Sequence, residues 1–316
     1  MTKQTVILDC DPGLDDAVAI LLALTSQENF DLAGITTVAG NVSLYHTYRN
    51  ARALVELAGC PEVRVFEGCA RAIMSEGARA EEVHGADGIG GVPLPAPTAP
   101  IEEQHAVDFI IETCRNAPDK GVTICPIGPM TNVALALIKA PDIKPKINEI
   151  VFMGGVAFGP GNTSPAAEFN IYADPHAAEI VIKSGIPQVM MGLDVTQQAI
   201  ITEDRLRYFR ELPSAVSHAV AEMLSAYRKM VIEKTGGARQ GVLHDPCTIA
   251  YLIDPTIFEG EDYFVEVDCS SSANFGRTTV DGLAVTGQPA NVKVMLNMND
   301  QAFYDLLFDR ISRIKK

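Results

Sequence analysis

The chain alternates short apolar runs with longer stretches of helical character. Thr5 to Leu8 has strand length, and Asp16 to Thr25 is rich in good helix formers. Leu32 to Val38 reads as a second strand. Asn41, after Ala39-Gly40, reads as the cap of a helix running through Ala58. Glu62 to Phe66 is a short third strand. The rhythm resumes with a helix over Glu102 to Arg115, a strand at Val122 to Pro126, a helix over Val133 to Lys139 and a strand at Glu149 to Met153. Asp174-Pro175 opens the next helix, and Gln188 to Met191 is the next strand. Thr202 to Lys234 is helical and charged. The tail reads as short β segments (Tyr263 to Asp268, Arg277 to Val280, Val292 to Leu296) and a last helix, Asp300 to Ile311. Strands alternating with helices predict an α/β class. We expect a single domain over residues 1–316, with a mostly parallel open sheet, helices on both faces and a small extra β segment near the C-terminus.

Two stretches break the rhythm, 67–100 and 154–173. A loop as long as the first is usually functional. It holds His84, followed by Gly85-Ala86-Asp87, and could cover the strand ends. The second holds Asn162 and Glu168-Phe169-Asn170.

Composition narrows the classes. Nearly half of the 316 residues, 47%, are hydrophobic, enough for a substantial core. No apolar run reaches the roughly 18 to 20 residues that span a bilayer. Met1-Thr2-Lys3-Gln4 leads straight into a strand without a signal-peptide layout, so a cytoplasmic location is expected. The formal charge of −15 repels phosphate backbones and argues against nucleic-acid or membrane partners. The seven cysteines are scattered, with no CxxC pair, and read as buried thiols of a reducing compartment.

Chemistry concentrates in Asp9-Cys10-Asp11-Pro12-Gly13-Leu14-Asp15-Asp16, where the first strand turns into the first helix. A structural reading exists: Asp15 as a helix cap, Asp9 as a turn acceptor. Carboxylates crowded this closely repel, unless some take up protons or a cation joins them. Two further polar clusters, Glu168 to Asn170 and His244-Asp245, also stand at strand ends or before helices. Parallel α/β topology would bring all three to one crevice. Asp11, Asp16 and Asp245 could then share a cation with a main-chain oxygen of the Ile127 turn. An all-oxygen set favours Ca²⁺ or Mg²⁺ over Zn²⁺, and diol hydroxyls and a water could complete a Ca²⁺ shell.

The same octapeptide closely resembles the N-terminal fingerprint of the nucleoside hydrolases, the inosine-uridine preferring family. The resemblance continues through Val38-Ala39-Gly40-Asn41, Gly128-Pro129-Met130-Thr131-Asn132, Val151-Phe152-Met153-Gly154-Gly155, Glu168-Phe169-Asn170-Ile171-Tyr172-Ala173-Asp174-Pro175 and His244-Asp245-Pro246. It covers essentially the whole chain, in order. It implies the Rossmann-like fold of that family and hydrolysis of the N-glycosidic bond of ribonucleosides. It implies Ca²⁺ held by Asp11, Asp16, Asp245 and the Ile127 main-chain oxygen, with Asp11 taking a proton from a metal-bound water. Asp15 and Asn41 would bind the lower ribose hydroxyls, with Asn170 helping. Asn162 and Glu168 would hold the 5′-hydroxyl, and Met153 would lie along the sugar. His244 would be catalytic beside Asp11, facing the base and helping it leave by a proton or a hydrogen bond, and His84 would sit in the loop over the nucleobase. A homodimer or tetramer serving nucleoside salvage is implied as well.

The pattern departs from the family between Tyr227 and Gly241, before the His244-Asp245 pair. The surrounding text is closer to members acting on pyrimidine nucleosides or on both inosine and uridine. Tyr227 reads as packing in its helix rather than stacking on a base. Two other classes fit parts of the pattern. A catalytically silent ribose- or nucleoside-binding protein would keep the sugar contacts without turnover. A phosphotransferase with an acidic pair after the first strand would need a basic phosphate site, which these acidic surroundings lack.

Overall fold

The computed structural model describes residues 3–270 and 272–314. Met1 and Thr2, expected to lead into the first strand, lie outside them. The strands are β1 (Gln4–Cys10), β2 (Phe30–Thr37), β3 (Val65–Glu67), β4 (Val122–Pro126), β5 (Ile147–Met153), β6 (Gln188–Met191), β7 (Phe258–Tyr263), β8 (Val265–Val267), β9 (Thr278–Val280) and β10 (Val292–Met298). The helices are α1 (Leu14–Leu24), α2 (Leu44–Ala58), α3 (Glu81–His84), α4 (Ala106–Asn116), α5 (Thr131–Lys139), α6 (Phe169–Ala173), α7 (Pro175–Ile182), α8 (Leu193–Thr196), α9 (Glu203–Glu211), α10 (Ala215–Lys234), α11 (Pro246–Ile253) and α12 (Asp300–Ser312).

One sheet runs in the order β3-β2-β1-β4-β5-β6-β10-β7, parallel except where β7 runs against β10. β8 and β9 form a separate antiparallel pair, the extra β segment expected near the C-terminus. The expected α/β class with a mostly parallel sheet is therefore what the chain forms. From β1 the chain steps outward to β2 and β3, then returns to lay β4 on the other side of β1. The winding reverses between β1 and β4, and such a reversal opens a crevice at the carboxyl ends of the strands. Asp9 to Asp11, Val38 to Asn41, Ile127 and Met153 all stand at that edge.

Apolar layers cover both faces. One packs α1, α2 and α9 to α12 on the sheet; the other packs α4, α5 and α7. α1 is buried on every side, including Asp15 and Asp16. A helix enclosed this completely holds its first turn rigidly. Beneath the crevice, the Asn132 amide nitrogen donates to Asp9 Oδ1 at 2.8 Å and to the Thr37 carbonyl at 3.0 Å, while its oxygen accepts from the Cys69 N–H at 2.9 Å. Thr36 Oγ1 donates to the same Asp9 oxygen at 2.6 Å. Asp9 thus ties β1 to β2 and α5, the structural role that its turn position suggested.

Several boundaries differ from the sequence reading. Asn41 does not cap α2; Ser43 occupies that position, and Asn41 turns inward instead. The third strand is Val65–Glu67, shifted along the chain from Glu62 to Phe66. The helix expected from Glu102 begins at Ala106, where His105 Nδ1 accepts from the Val107 N–H at 3.2 Å. The single helical stretch over Thr202 to Lys234 divides into α9 and α10 around Pro213, which lacks the donor that a continuous helix needs. β7 went unread because its sequence, Phe-Glu-Gly-Glu-Asp-Tyr, is mostly polar; as an edge strand it has one side in water. The strand expected over Tyr263 to Asp268 shortens to β8.

Gly40 and Gly128 flank the Asp11 carboxylate. A Cβ on Gly40 would lie 2.0 Å from Asp11 Oδ2, and one on Gly128 2.3 Å from Asp11 Oδ1. Neither neighbour can yield without moving a buried aspartate. Gly40→Ala and Gly128→Ala are each expected to destabilise the fold by about 2 kcal/mol, measured by urea unfolding. Wild-type stability in both variants would show that the carboxylate is free to move aside.

Candidate active site

The crevice holds a cavity of about 430 Å³. Its floor is acidic. Oxygens of Asp15, Asp16 and Asp245, one from each, lie within 4.8 Å of one another, and all three residues are buried. Asp15 and Asp16 come from the first turn of α1, and Asp245 immediately precedes α11. The start of α1 is a favourable place for negative charge, because its free N–H groups point outward. Asp16 exploits this directly: its Oδ2 accepts from the Gly13 N–H at 3.0 Å and its Oδ1 from the Asp11 N–H at 3.1 Å.

Asp11 is not in that close group but abuts it: its main-chain N–H donates to Asp16 Oδ1, and its carboxyl feels the Asp16 charge. Its Oδ2 accepts from the Asn41 N–H at 2.6 Å, and its Oδ1 is buried without a hydrogen-bond partner. Asn41 Nδ2 bridges the Asp11 carbonyl at 3.2 Å and Asp16 Oδ2 at 3.0 Å. Burial, joined by the Asp16 charge, raises Asp11 well above the usual carboxylate range. Burial and then Asp16 push Asp15 to about 7. Burial, Asp15 and Asp16 raise Asp245 in the same sense. A buried orphan carboxylate oxygen beside three converging carboxylates is costly unless protons or a cation compensate. The donor set is all oxygen, which fits a hard divalent cation. The Ile127 carbonyl also reaches this cavity, where it accepts from Asn170 Nδ2 at 2.9 Å.

One wall is built by the 154–173 segment. Glu168 caps α6: Oε1 accepts from the Asn170 N–H at 2.8 Å, and Oε2 from Gly155 at 2.9 Å and Ile171 at 3.2 Å. Burial still outweighs these bonds and pushes its carboxyl to about 7. Asn170 Nδ2 also donates to the Met153 carbonyl at 3.1 Å, which leaves the amide oxygen for a ligand. Asn162 Oδ1 accepts from the Phe169 N–H at 3.0 Å, leaving its amide nitrogen.

The opposite wall carries aromatic rings beside apolar and charged side chains. His84 closes α3 and is buried; its Nδ1 accepts from the Leu14 N–H at 3.1 Å, capping α1. Burial holds the ring down to about 3, so it is neutral, with its proton on Nε2. The ring stacks on Tyr227, with centroids 5.7 Å apart and planes 16° apart. His244 lies beside them, with Nδ1 and Thr196 Oγ1 2.7 Å apart. Burial, aided by the Arg239 charge, holds His244 down to about 4.

Asp15, Asn41, His84, Ile127, Met153, Asn162, Glu168, Asn170, His244 and Asp245 line this one cavity, and Asp11 and Asp16 lie under its floor. The sequence reading marked the 227–241 stretch, with Arg239 and Gln240 in it, as the part that departs from the family but assigned none of its residues to the wall, where Val231, Lys234, Arg239 and Gln240 stand. Tyr227 packs in the core as expected, yet it also faces the cavity, so packing and lining prove compatible. No residue pattern announced these positions. They are brought in by the end of α10 and by the turn after it, whose path depends on long-range packing.

The family model of the inosine-uridine preferring nucleoside hydrolases matches residues 6–305. A pyrimidine-specific ribonucleoside hydrolase RihA of Escherichia coli is 44% identical over 306 residues, covering 97% of each chain. An uncharacterized protein of Schizosaccharomyces pombe is 44% identical over 309 residues, covering 98% of this chain and 99% of its own. Among solved structures, a purine-preferring ribonucleoside hydrolase from Gardnerella vaginalis superposes with a TM-score of 0.91 at 36% identity, over 98% of this chain and 99% of its own. The plant nucleoside hydrolase PpNRh1 superposes with a TM-score of 0.89 at 30% identity, over 98% and 99%. With matches this long on top of an acid-floored cavity at the winding reversal, the chain belongs to the inosine-uridine preferring nucleoside hydrolase family and is an N-glycosyl hydrolase.

Proposed function

We propose that this enzyme hydrolyses pyrimidine ribonucleosides to ribose and free base, with Ca²⁺ in the acidic floor and Asp11 as the general base. The observation that carries this reading is the buried, unpartnered Asp11 Oδ1 beside the carboxylates of Asp15, Asp16 and Asp245. Asp11, Asp16, Asp245 and the Ile127 carbonyl are the ligands we assign to the ion. When bound, Ca²⁺ would offset the crowded negative charge and polarise the oxygens presented to it. The pyrimidine preference follows the specificity in the name of the Escherichia coli relative.

Each residue then has a task. Asp11, held by the Asn41 N–H, accepts a proton from the attacking water. Asp15 and Asn41 grip the lower ribose hydroxyls, with the Asn170 oxygen helping. Asn162 and Glu168 bind at the 5′-hydroxyl, and Met153 lies along the sugar. Breaking the glycosidic bond builds positive charge on the ribose, which the acidic floor stabilises. His84 and His244 face the base. The −15 charge and seven free thiols support action on small neutral nucleosides in a reducing, cytoplasmic setting.

The direct test is ribose release from uridine, cytidine, inosine and adenosine with Ca²⁺ present. Turnover is expected, fastest on the pyrimidines, and no ribose from any substrate refutes the proposal. Asp11→Ala should lower kcat by about 10³-fold. 2′-Deoxyuridine should react at least about 100-fold more slowly, because polar groups built for the hydroxyl stay unfilled.

Metal dependence has a thermal signature. Asp9, Asp15 and Glu168 sit near 7 in the metal-free fold, above their unfolded values. Between pH 6.5 and 8 they hold protons in the fold that the unfolded chain has already lost, and these three carboxyls outweigh His84 and His244, which are neutral in the fold and about half protonated near pH 6.5 in the unfolded chain. Metal-free stability therefore falls as pH rises through this window. Ca²⁺ binds the deprotonated carboxylates, so it should raise Tm more at pH 8 than at pH 6.5. An equal Tm at both pH values with chelator and with Ca²⁺ would argue that no ion enters the floor.

A further inference from the structure

The two ends of the cavity carry opposite charge. The floor is built from carboxylates. Two cationic side chains line the rest, Lys234 and Arg239. Lys234 is neutralised by Glu82, with Nζ to Oε1 at 2.8 Å, a pair that joins the end of α10 to α3. Arg239 has no carboxylate partner among the described residues. Its Nη2 donates to the Gly161 carbonyl at 3.0 Å, which ties the turn after α10 to the opposite wall. That single bond occupies one of the five guanidinium donors. Arg239 is close enough to His244 for its charge to act on the imidazole. Gly236 and Gly237 both have positive φ, +60° and +85°, and after this reversal Ala238 and Arg239 line the cavity.

With the ribose held over the acidic floor as proposed above, the base extends toward Arg239 and this polarity runs along the bond that breaks. As the C1′–N1 bond cleaves, its electron pair passes to the base. The water oxygen bonds to C1′ and its proton goes to Asp11. The charge on the base spreads to its carbonyl oxygens until a water protonates it, and the hydroxide so formed takes the proton back from Asp11. A guanidinium offers only donors, so it suits an oxo group and repels an amino group.

We propose that Arg239 makes the enzyme selective for oxo bases, uracil over cytosine, by holding the charge that gathers on the oxygen opposite the glycosidic nitrogen. The inference rests on the hydrolytic function proposed above and adds the residue that sorts its substrates.

The test compares kcat/KM for uridine and cytidine in wild type, Arg239→Ala and Arg239→Lys. The uridine-to-cytidine ratio should fall about tenfold in Arg239→Ala, with the loss in kcat rather than KM, because the charge develops in the transition state. Arg239→Lys should recover part of the ratio, since it keeps the charge but loses the planar fork. A merely structural arginine would lower both substrates together. A ratio unchanged to within about twofold in Arg239→Ala would overturn the proposal. Wild-type release of nitrophenolate from p-nitrophenyl riboside separates the two readings. Its presence with an unchanged ratio removes only the role of Arg239; its absence, together with no ribose from nucleosides, removes both.

Discussion

Four aspartates buried side by side set the terms for everything around them. Asp11, Asp15, Asp16 and Asp245 occupy the carboxyl edge of the sheet where its winding reverses. Bringing several carboxylates out of water costs far more than one hydrogen bond returns. The surroundings are arranged to bear that cost. The free N–H groups at the start of α1 meet Asp16, and the Asn41 main chain meets Asp11. Gly40 and Gly128 leave only enough room for the Asp11 carboxylate between them. His84 completes the support by capping α1 from a distant loop.

The rigidity of α1 follows from the same arrangement. A helix enclosed on all sides cannot tilt to relieve the repulsion at its first turn, so protons or a cation must offset it. This links packing to function. The core does not simply carry the site; it prevents the acids from separating.

The two walls behave differently. The wall proposed for the sugar is fixed by hydrogen bonds among α6, the end of β5 and the turn after β4, which span little distance and leave little freedom. The wall proposed for the base is assembled from α3, the end of α10 and the turn that carries Arg239. Relatives described as pyrimidine-specific and as purine-preferring match this chain over nearly its full length. A shared fold therefore does not settle which base is accepted; individual side chains around the base do that.

Much was legible from the order of residues alone. The βα rhythm predicted a parallel sheet, and the Asp9 to Asp16 stretch announced an acidic site, because strand period and local charge density are short-range properties. Boundaries slipped where a competing local feature prevailed: Ser43 rather than Asn41 as a cap, and Pro213 as a break within a charged helical stretch. The motif residues could be named, but their distances could not. That Asp15, Asp16 and Asp245 converge while Asp11 keeps an unpartnered oxygen depends on β1, β2, β4 and α11 packing together, over more than 200 residues of chain. The sequence by itself determined the class of fold and the chemistry of its acids. Only the tertiary structure decided that Tyr227, His84 and Arg239 share one wall, because no local periodicity encodes contacts between segments so far apart.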